Sequence, residues 1–233
     1  MGIFGWSVID NSRTLIGTVQ SHHYSGGNGI TTDYDSNLRI VPSPQFRGMA
    51  INRHGTPNPG GIIECEIHVA RGVPGTAVEN DLFEPLVGRM VSTVGVFVED
   101  LSHGLWTEIH PIDYLVADMG QMGNRVDSRK WRFYAFCDDW HWCIAQPAPV
   151  PFSQTDRYCS TSIPFPNPPD STAVPHFTAS LWPESSYQSA DLRIDQGGRA
   201  SLSISVHTGI ANHGKGLYCA ELVLYWGAAP EGM

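Results

Sequence analysis

Short runs in which apolar and polar residues alternate dominate this chain, and they predict an all-β protein. The clearest run is IECEIHV (63–69), where apolar residues alternate with two glutamates and a histidine. Because successive side chains of a strand point to opposite faces, this segment should have one apolar and one polar face. Helical periodicity is nearly absent. Its one candidate, residues 80–90, is limited to a turn or two by Pro85.

The first half of the chain predicts a defined order of elements: three strands, a short helix and two more strands. The last two strands are RMVSTVGVFVED (89–100) and LWTEIHPIDYLVAD (105–118). This order resembles that of the OB-fold, a five-stranded Greek-key barrel. The resemblance implies an OB-like barrel as the first domain, over residues 1–118. Many OB-folds bind nucleic acid or sugar, but a fold alone does not determine function.

The second half predicts a separate antiparallel β unit. Residues 119–130, MGQMGNRVDSRK, are polar and contain glycine, which is typical of a linker. In residues 131–233, the tetrapeptide DQGG stands between two alternating runs and indicates a hairpin. Eight prolines in residues 147–175 indicate a segment that wraps over a surface. We therefore expect a β-sandwich-like C-terminal domain with a Pro-rich wrapping segment.

Charge and hydropathy narrow the classes of partner. The net charge of −9 argues against a nucleic-acid partner, because affinity for phosphates comes largely from Lys and Arg. No apolar run is long enough to cross a membrane, and no signal-peptide pattern is visible, so the compartment stays open. Cys137 and Cys143 flank DDWHW, and they could form a disulfide across a hairpin or remain buried thiols.

The densest set of metal-ligating residue types lies in VEDLSHGLWTEIHP (98–111), which predicts a strand, a turn and a strand. Glu108 and His110 share one face of the second strand, while Asp100 and His103 come from the end of the first strand and the turn. Histidine and carboxylate side chains are common ligands of divalent metals. These four residues therefore predict a site for calcium or zinc. The alternative is structural hydrogen bonding across the hairpin.

Two further segments could supply groups for acid–base chemistry. DYDSN (33–37) places Asp35 in an acidic pattern that resembles the start of a calcium loop, but it lacks the glycine and the bidentate glutamate of an EF-hand. Glu66 lies on the polar face of residues 63–69. If these strands share a face of the barrel with the 98–111 hairpin, Asp35 and Glu66 are the candidate catalytic bases. Otherwise they belong to a polar turn and a solvated strand face.

Two classes of function remain open. The first is a non-catalytic β-rich structural or binding protein, self-assembling into a homo-oligomer and stabilised by a divalent ion. The second is a metal-dependent hydrolase or lyase that uses the 98–111 cluster to hold the ion and Glu66 or Asp35 as base. Trp140 and Trp142 could form a contact surface for carbohydrate. We favour the first class because the sequence contains no complete catalytic set.

Overall fold

The computed structural model describes residues 5–26, 34–68, 83–102, 104–121, 129–137, 157–163, 175–182, 187–194, 200–207 and 216–227. Strands account for most of these residues, so the prediction of an all-β protein is confirmed. No helix within these ranges is long and apolar enough to cross a membrane. Several residues singled out from the sequence, namely His103, Trp140, Trp142 and Cys143, lie outside the described part of the chain.

The described ranges contain eleven strands and three short 3-10 segments. The strands are β1 (Trp6–Gly26), β2 (Tyr34–Pro42), β3 (Ile63–His68), β4 (Met90–Asp100), β5 (Trp106–Gln121), β6 (Arg129–Cys137), β7 (Arg157–Ile163), β8 (Pro175–Trp182), β9 (Tyr187–Ile194), β10 (Ala200–His207) and β11 (Gly216–Trp226). The 3-10 segments are Pro44–Ala50, Pro59–Gly61 and Glu84–Leu86. The last of these lies inside the predicted helix at 80–90, and Pro85 is one of its three residues.

The first five strands pair into a closed ring. β1 pairs antiparallel with β2 and β4, β2 pairs with β3, and β4 pairs with β5. A parallel pairing of β3 with β5 completes the ring, through Glu64 opposite Glu108 and Cys65 opposite Ile109. The short helical segment falls between β3 and β4, which is the element order that carries the resemblance to the OB-fold.

Apolar side chains from all five strands of the ring form one core. Leu15 on β1, Leu38 on β2, Ile63 on β3, Phe97 on β4 and Ile109 on β5 belong to the same buried cluster. The two faces predicted for β3 are observed where its side chains are described. Ile63 and Cys65 are inaccessible to solvent, while the two glutamates are partly exposed. The face opposite the core is therefore free to carry polar chemistry.

The second half of the chain is antiparallel throughout its described strands, as predicted. β6 pairs with β5, and β11 and β8 follow, so these strands continue the sheet of the ring. β7, β10 and β9 form a separate three-stranded sheet. β9 and β10 are antiparallel neighbours, which agrees with the hairpin signal between them. The predicted linker, 119–130, begins inside β5 and ends inside β6. The division into domains at 1–118 and 131–233 stays a prediction.

An ion pair between the buried Glu99 and the half-exposed Arg53 ties the loop before β3 to the ring. The Glu99 carboxylate on β4 accepts hydrogen bonds from Arg53 Nε at 2.8 Å, from Nη2 at 2.6 Å and from the Arg53 backbone N–H at 3.2 Å. Burial by itself would raise the pKa of Glu99. The hydrogen bonds and the charge of Arg53 outweigh burial and lower that pKa from its ordinary value of 4.5. Ionised Glu99 therefore stabilises the folded chain.

We expect Glu99 to make the fold sensitive to acid. Since its pKa is lower in the folded than in the unfolded chain, its stabilisation is present above the ordinary carboxyl range and is lost as the pH falls through the lowered pKa. Glu99→Gln should therefore lose less free energy of unfolding than the wild type between about pH 6 and about pH 3, measured by urea unfolding. Asp10→Asn, at a side chain that is 41% exposed, is the control. Equal acid sensitivity of Glu99→Gln and the wild type would contradict this account.

Candidate metal centre

A polar face lies where β3 and β5 close the ring. Glu64 and Glu66 alternate with core residues on β3, and Glu108 and His110 do the same on β5. The parallel register places Glu64 opposite Glu108. The next step along both strands brings Glu66 to His110, and Nδ1 of His110 lies against Oε2 of Glu66 in an ion-pair contact. The ring closure thus gathers four ionisable groups on one face.

Three of these groups are close enough to share an ion. Glu66, Glu108 and His110 each offer one ligand atom, and the three atoms lie within 4.8 Å of one another. His110 is 0% exposed and Glu108 is 4% exposed, so the group is largely screened from water. One imidazole nitrogen and two carboxylate oxygens suit zinc and other first-row metals. Calcium takes six to eight oxygen ligands, so this nitrogen-containing set fits zinc better.

Neighbouring side chains contact His110 and Glu64 on this polar face. The ring of Trp6, on β1, packs against the imidazole of His110 with 4.3 Å between the centroids. On β3, Oε1 of Glu64 lies 3.1 Å from Nε2 of His23, and the same nitrogen is 3.3 Å from Nδ2 of Asn37. Trp6 therefore limits access of water to His110, while His23 and Asn37 extend the polar face across β1 and β2.

Glu64, Glu66 and Glu108 concentrate negative charge at the ring closure. This charge affects the pKa of the Cys65 thiol, which lies on the core side of β3. Burial raises the pKa of Cys65 well above its ordinary value of 9.0, and the charges of the three glutamates raise it further. The hydrogen bond with the backbone of Ile109 acts in the opposite direction and is outweighed. The local field therefore favours cations.

The structure brings together two of the four predicted metal ligands, Glu108 and His110, and adds Glu66, which was predicted as a base. Asp100 is not a member of this group. Its Oδ1 accepts hydrogen bonds from the backbone N–H and the hydroxyl of Ser102, both at 2.7 Å, so it orders the turn between β4 and β5. This pattern of an aspartate bonded to the backbone two residues on is a local turn signal that the sequence already contains.

The remaining site predictions fall partly or wholly outside the described residues. Of Asp35, only the backbone is described, and it lies opposite His68 in the register of β2 and β3. His103 is not described, so its predicted role as a ligand stays a prediction. Trp6 and Arg39 were not singled out from the sequence. No local pattern marks either residue, because each reaches the polar face through pairing between distant strands.

A groove borders the group at Glu108. It is lined by Arg39, Asn58, Pro59, Ile62, Glu64, Trp106, Thr107 and Glu108. Asn58 fixes one wall, because its Nδ2 donates to the carbonyl oxygen of Thr107 at 2.8 Å and its Oδ1 accepts from the Thr107 N–H at 3.0 Å. Both residues are buried. The groove therefore has at least one rigid side, and its lining combines polar and apolar side chains.

Fold and site together define the class: an all-β protein with a closed ring of five strands and a group of two glutamates and one histidine at the ring closure. Comparisons of the chain with protein-family models, curated proteins and solved structures found no match. The support for a function therefore comes from the geometry and charge of this group.

Proposed function

We propose that this protein is a β-rich binding protein that holds one divalent ion, zinc in preference to calcium, at Glu66, Glu108 and His110. The observation that carries the proposal is the convergence of the three ligand atoms to within 4.8 Å from two different strands. Two carboxylates and one imidazole supply three of the four ligands of a zinc site. A water molecule or a small ligand would supply the fourth.

The charge balance supports a cation at this position. A buried carboxylate is costly unless a cation or strong hydrogen bonds compensate it. Glu108 is 4% exposed and lies directly opposite Glu64 in the β3–β5 register. A divalent ion between Glu66 and Glu108 would reduce the mutual repulsion of their charges, whatever other contacts each makes.

The proposed role of the ion is to fasten the ring. The pairing of β3 with β5 contains two residue pairs, whereas β2 and β3 share six. Glu66 comes from β3, and Glu108 and His110 come from β5, so an ion bound to all three would join the strands at this short pairing. Because an ion that binds the folded chain shifts the folding equilibrium, it would stabilise the ring by mass action.

We expect the purified chain, stripped with a chelator and dialysed first against zinc and then against buffer, to retain about one zinc ion per molecule. Retention should raise the midpoint of urea unfolding. Metal content is measured by mass spectrometry of the elements, and calcium at the same concentration is the comparison. Absence of both retention and stabilisation would refute the proposal, and retention of calcium instead of zinc would refute the choice of metal.

A second candidate, a metal-dependent hydrolase, is favoured by the groove that borders Glu108. A catalytic zinc site has three protein ligands and one open position, and a bound zinc ion lowers the pKa of its water. Glu64 lines the same groove outside the group of three and is the candidate base. The test is hydrolysis of p-nitrophenyl acetate that depends on zinc. Equal rates with the stripped protein would exclude this activity toward that ester.

Self-assembly and carbohydrate binding remain predictions from the sequence. Trp140 and Trp142 lie outside the described residues, so their proposed contact with sugar rests on their residue type. The proposed ion site requires neither a second copy of the chain nor a sugar.

A further inference from the structure

We propose that His23, Asn37 and Glu64 form a second and weaker site for a divalent transition-metal ion, beside the group of three. The proposal goes beyond the proposed function, because it adds an ion and extends the fastening of the ring from β3 and β5 to β1 and β2. Its three residues come from three neighbouring strands, β1, β2 and β3. It does not require the first ion to be bound.

The imidazole of His23 connects the three side chains. His23 lies directly opposite Asn37 in the β1–β2 register, and its Nε2 is 3.3 Å from Nδ2 of Asn37. The same nitrogen reaches across β2 to Oε1 of Glu64, at 3.1 Å. Two ligand atoms of a tetrahedral zinc ion, each about 2 Å from the metal, are about 3.3 Å apart. The separation of Nε2 from Oε1 therefore suits two ligands of one ion as well as it suits a hydrogen bond.

The hydrogen-bonding capacity of His23 does not match these two neighbours. A ring nitrogen either donates through its proton or accepts through its lone pair, and it cannot do both. If Nε2 carries the proton, it can donate to Glu64, but its N–H then faces the amide NH₂ group of Asn37. If Nε2 accepts from Asn37, its lone pair faces the Glu64 carboxylate. A cation between Nε2 and Oε1 removes this second mismatch, because both lone pairs then point to the ion.

The side-chain oxygen of Asn37 is independent evidence for a ligand. Asn37 is 4% exposed, and its Oδ1 is buried without a hydrogen-bond partner among the residues that the structure describes. Buried polar atoms in folded proteins nearly always have a partner. A half-turn of the amide exchanges its oxygen and nitrogen and brings Oδ1 beside Nε2 of His23, where it would be the third ligand of the ion. Glu66, directly opposite Asn37 in the β2–β3 register, is then the acceptor for the amide nitrogen.

Ligand type, exposure and charge determine which metal binds here and how tightly. One imidazole nitrogen and two oxygens suit zinc and other first-row metals. The His23 side chain is 46% exposed, so an ion can reach Nε2 from solvent. The set contains a single carboxylate, and an ion in the group of three would repel a second cation. The second ion should therefore bind more weakly than the first and be lost during dialysis against buffer.

The test is equilibrium dialysis of the stripped protein against increasing free zinc, with bound metal measured by mass spectrometry of the elements. Bound zinc should rise in two steps, to about one and then to about two ions per molecule. His23→Gln should raise the free zinc concentration at the midpoint of the second step about tenfold or more, with the first step retained. Asn37→Asp should lower that concentration about tenfold, because a carboxylate replaces a neutral ligand. His54→Gln, at an exposed histidine in the loop before β3, is the matched control and should behave as the wild type.

The outcomes separate this inference from the proposed function. Absence of zinc binding at either step would overturn both. A single step that survives His23→Gln would overturn the second site alone, and so would a second step that His23→Gln leaves unchanged or that His54→Gln weakens equally. A single step that is lost in His23→Gln and kept in His110→Gln would overturn the proposed function and support the second site. Weaker binding at the second step in Asn37→Asp would overturn the role of Asn37 as a ligand. If Asn37→Asp fails to fold, His23→Gln, at a half-exposed side chain, still decides whether the second site exists.

Discussion

His110→Gln and Glu66→Gln are each expected to weaken zinc binding by at least about 100-fold. Each substitution removes one of three protein ligands, and the loss of a mere outer-shell partner already weakens metal binding by about 10- to 100-fold. Affinity is measured by competition with a chromogenic chelator. The two variants complement each other, because His110 is fully buried against Trp6, whereas the Glu66 side chain is 16% exposed and can change without opening the core.

Glu64→Gln is the matched control for these ligand variants. Glu64 is on the same strand as Glu66 and has a similar exposure, 17% against 16%, but it lies outside the group of three. It should weaken zinc binding by about tenfold or less, through the loss of one nearby charge. A loss as large as that of Glu66→Gln would show that the ligand set is wrong. If all three variants bind zinc as the wild type does, the site does not exist.

Gly95→Ala is expected to lower the free energy of unfolding by about 3 kcal/mol. Gly95 lies on β4 at an irregularity in its pairing with β5. A Cβ atom there would lie 2.7 Å from Cγ2 of Ile109 and 2.9 Å from Cα of Ile112, and closer still to the carbonyl oxygen of Pro111. Backbone atoms cannot yield as a flexible side chain does, so β5 must shift. The loss is measured by urea unfolding.

Gly48→Ala is the control, since a Cβ atom at Gly48 would meet nothing within 4 Å. We expect a change of about 0.5 kcal/mol or less at this position. Because β5 carries Glu108 and His110, Gly95→Ala should also weaken zinc binding. Unchanged stability of Gly95→Ala would show that β4 and β5 do not approach each other this closely.

The sequence alone predicted which residues of a single strand share a face. The alternation in IECEIHV assigned the two β3 glutamates to a polar face, and the same rule placed Glu108 and His110 together on β5. These assignments depend on the two-residue period of an extended chain, which is a local property. The order of the first five strands along the chain could also be predicted, because turn-forming residues separate them.

The sequence alone could not predict which residues form the candidate metal group. The hairpin alone suggested Asp100 and His103 as partners of Glu108 and His110, yet the described group contains Glu66 from β3. The partnership of Glu66 with His110 requires β3 to lie parallel to β5, and no residue of either strand encodes that pairing by itself. Strand register is set by the burial of whole faces and by the turns that connect the strands.

By itself, the sequence therefore determined that this is an all-β protein, which residues of each strand share a face, and that carboxylates and histidines concentrate on β3 and β5. Only the tertiary structure decided which of them meet. It brought Glu66 to Glu108 and His110, placed Trp6 against His110, and brought Arg39 to the groove at Glu108. The physical reason is that alternation is dictated by the backbone of each strand, whereas convergence depends on closing a ring of strands that are distant in the chain.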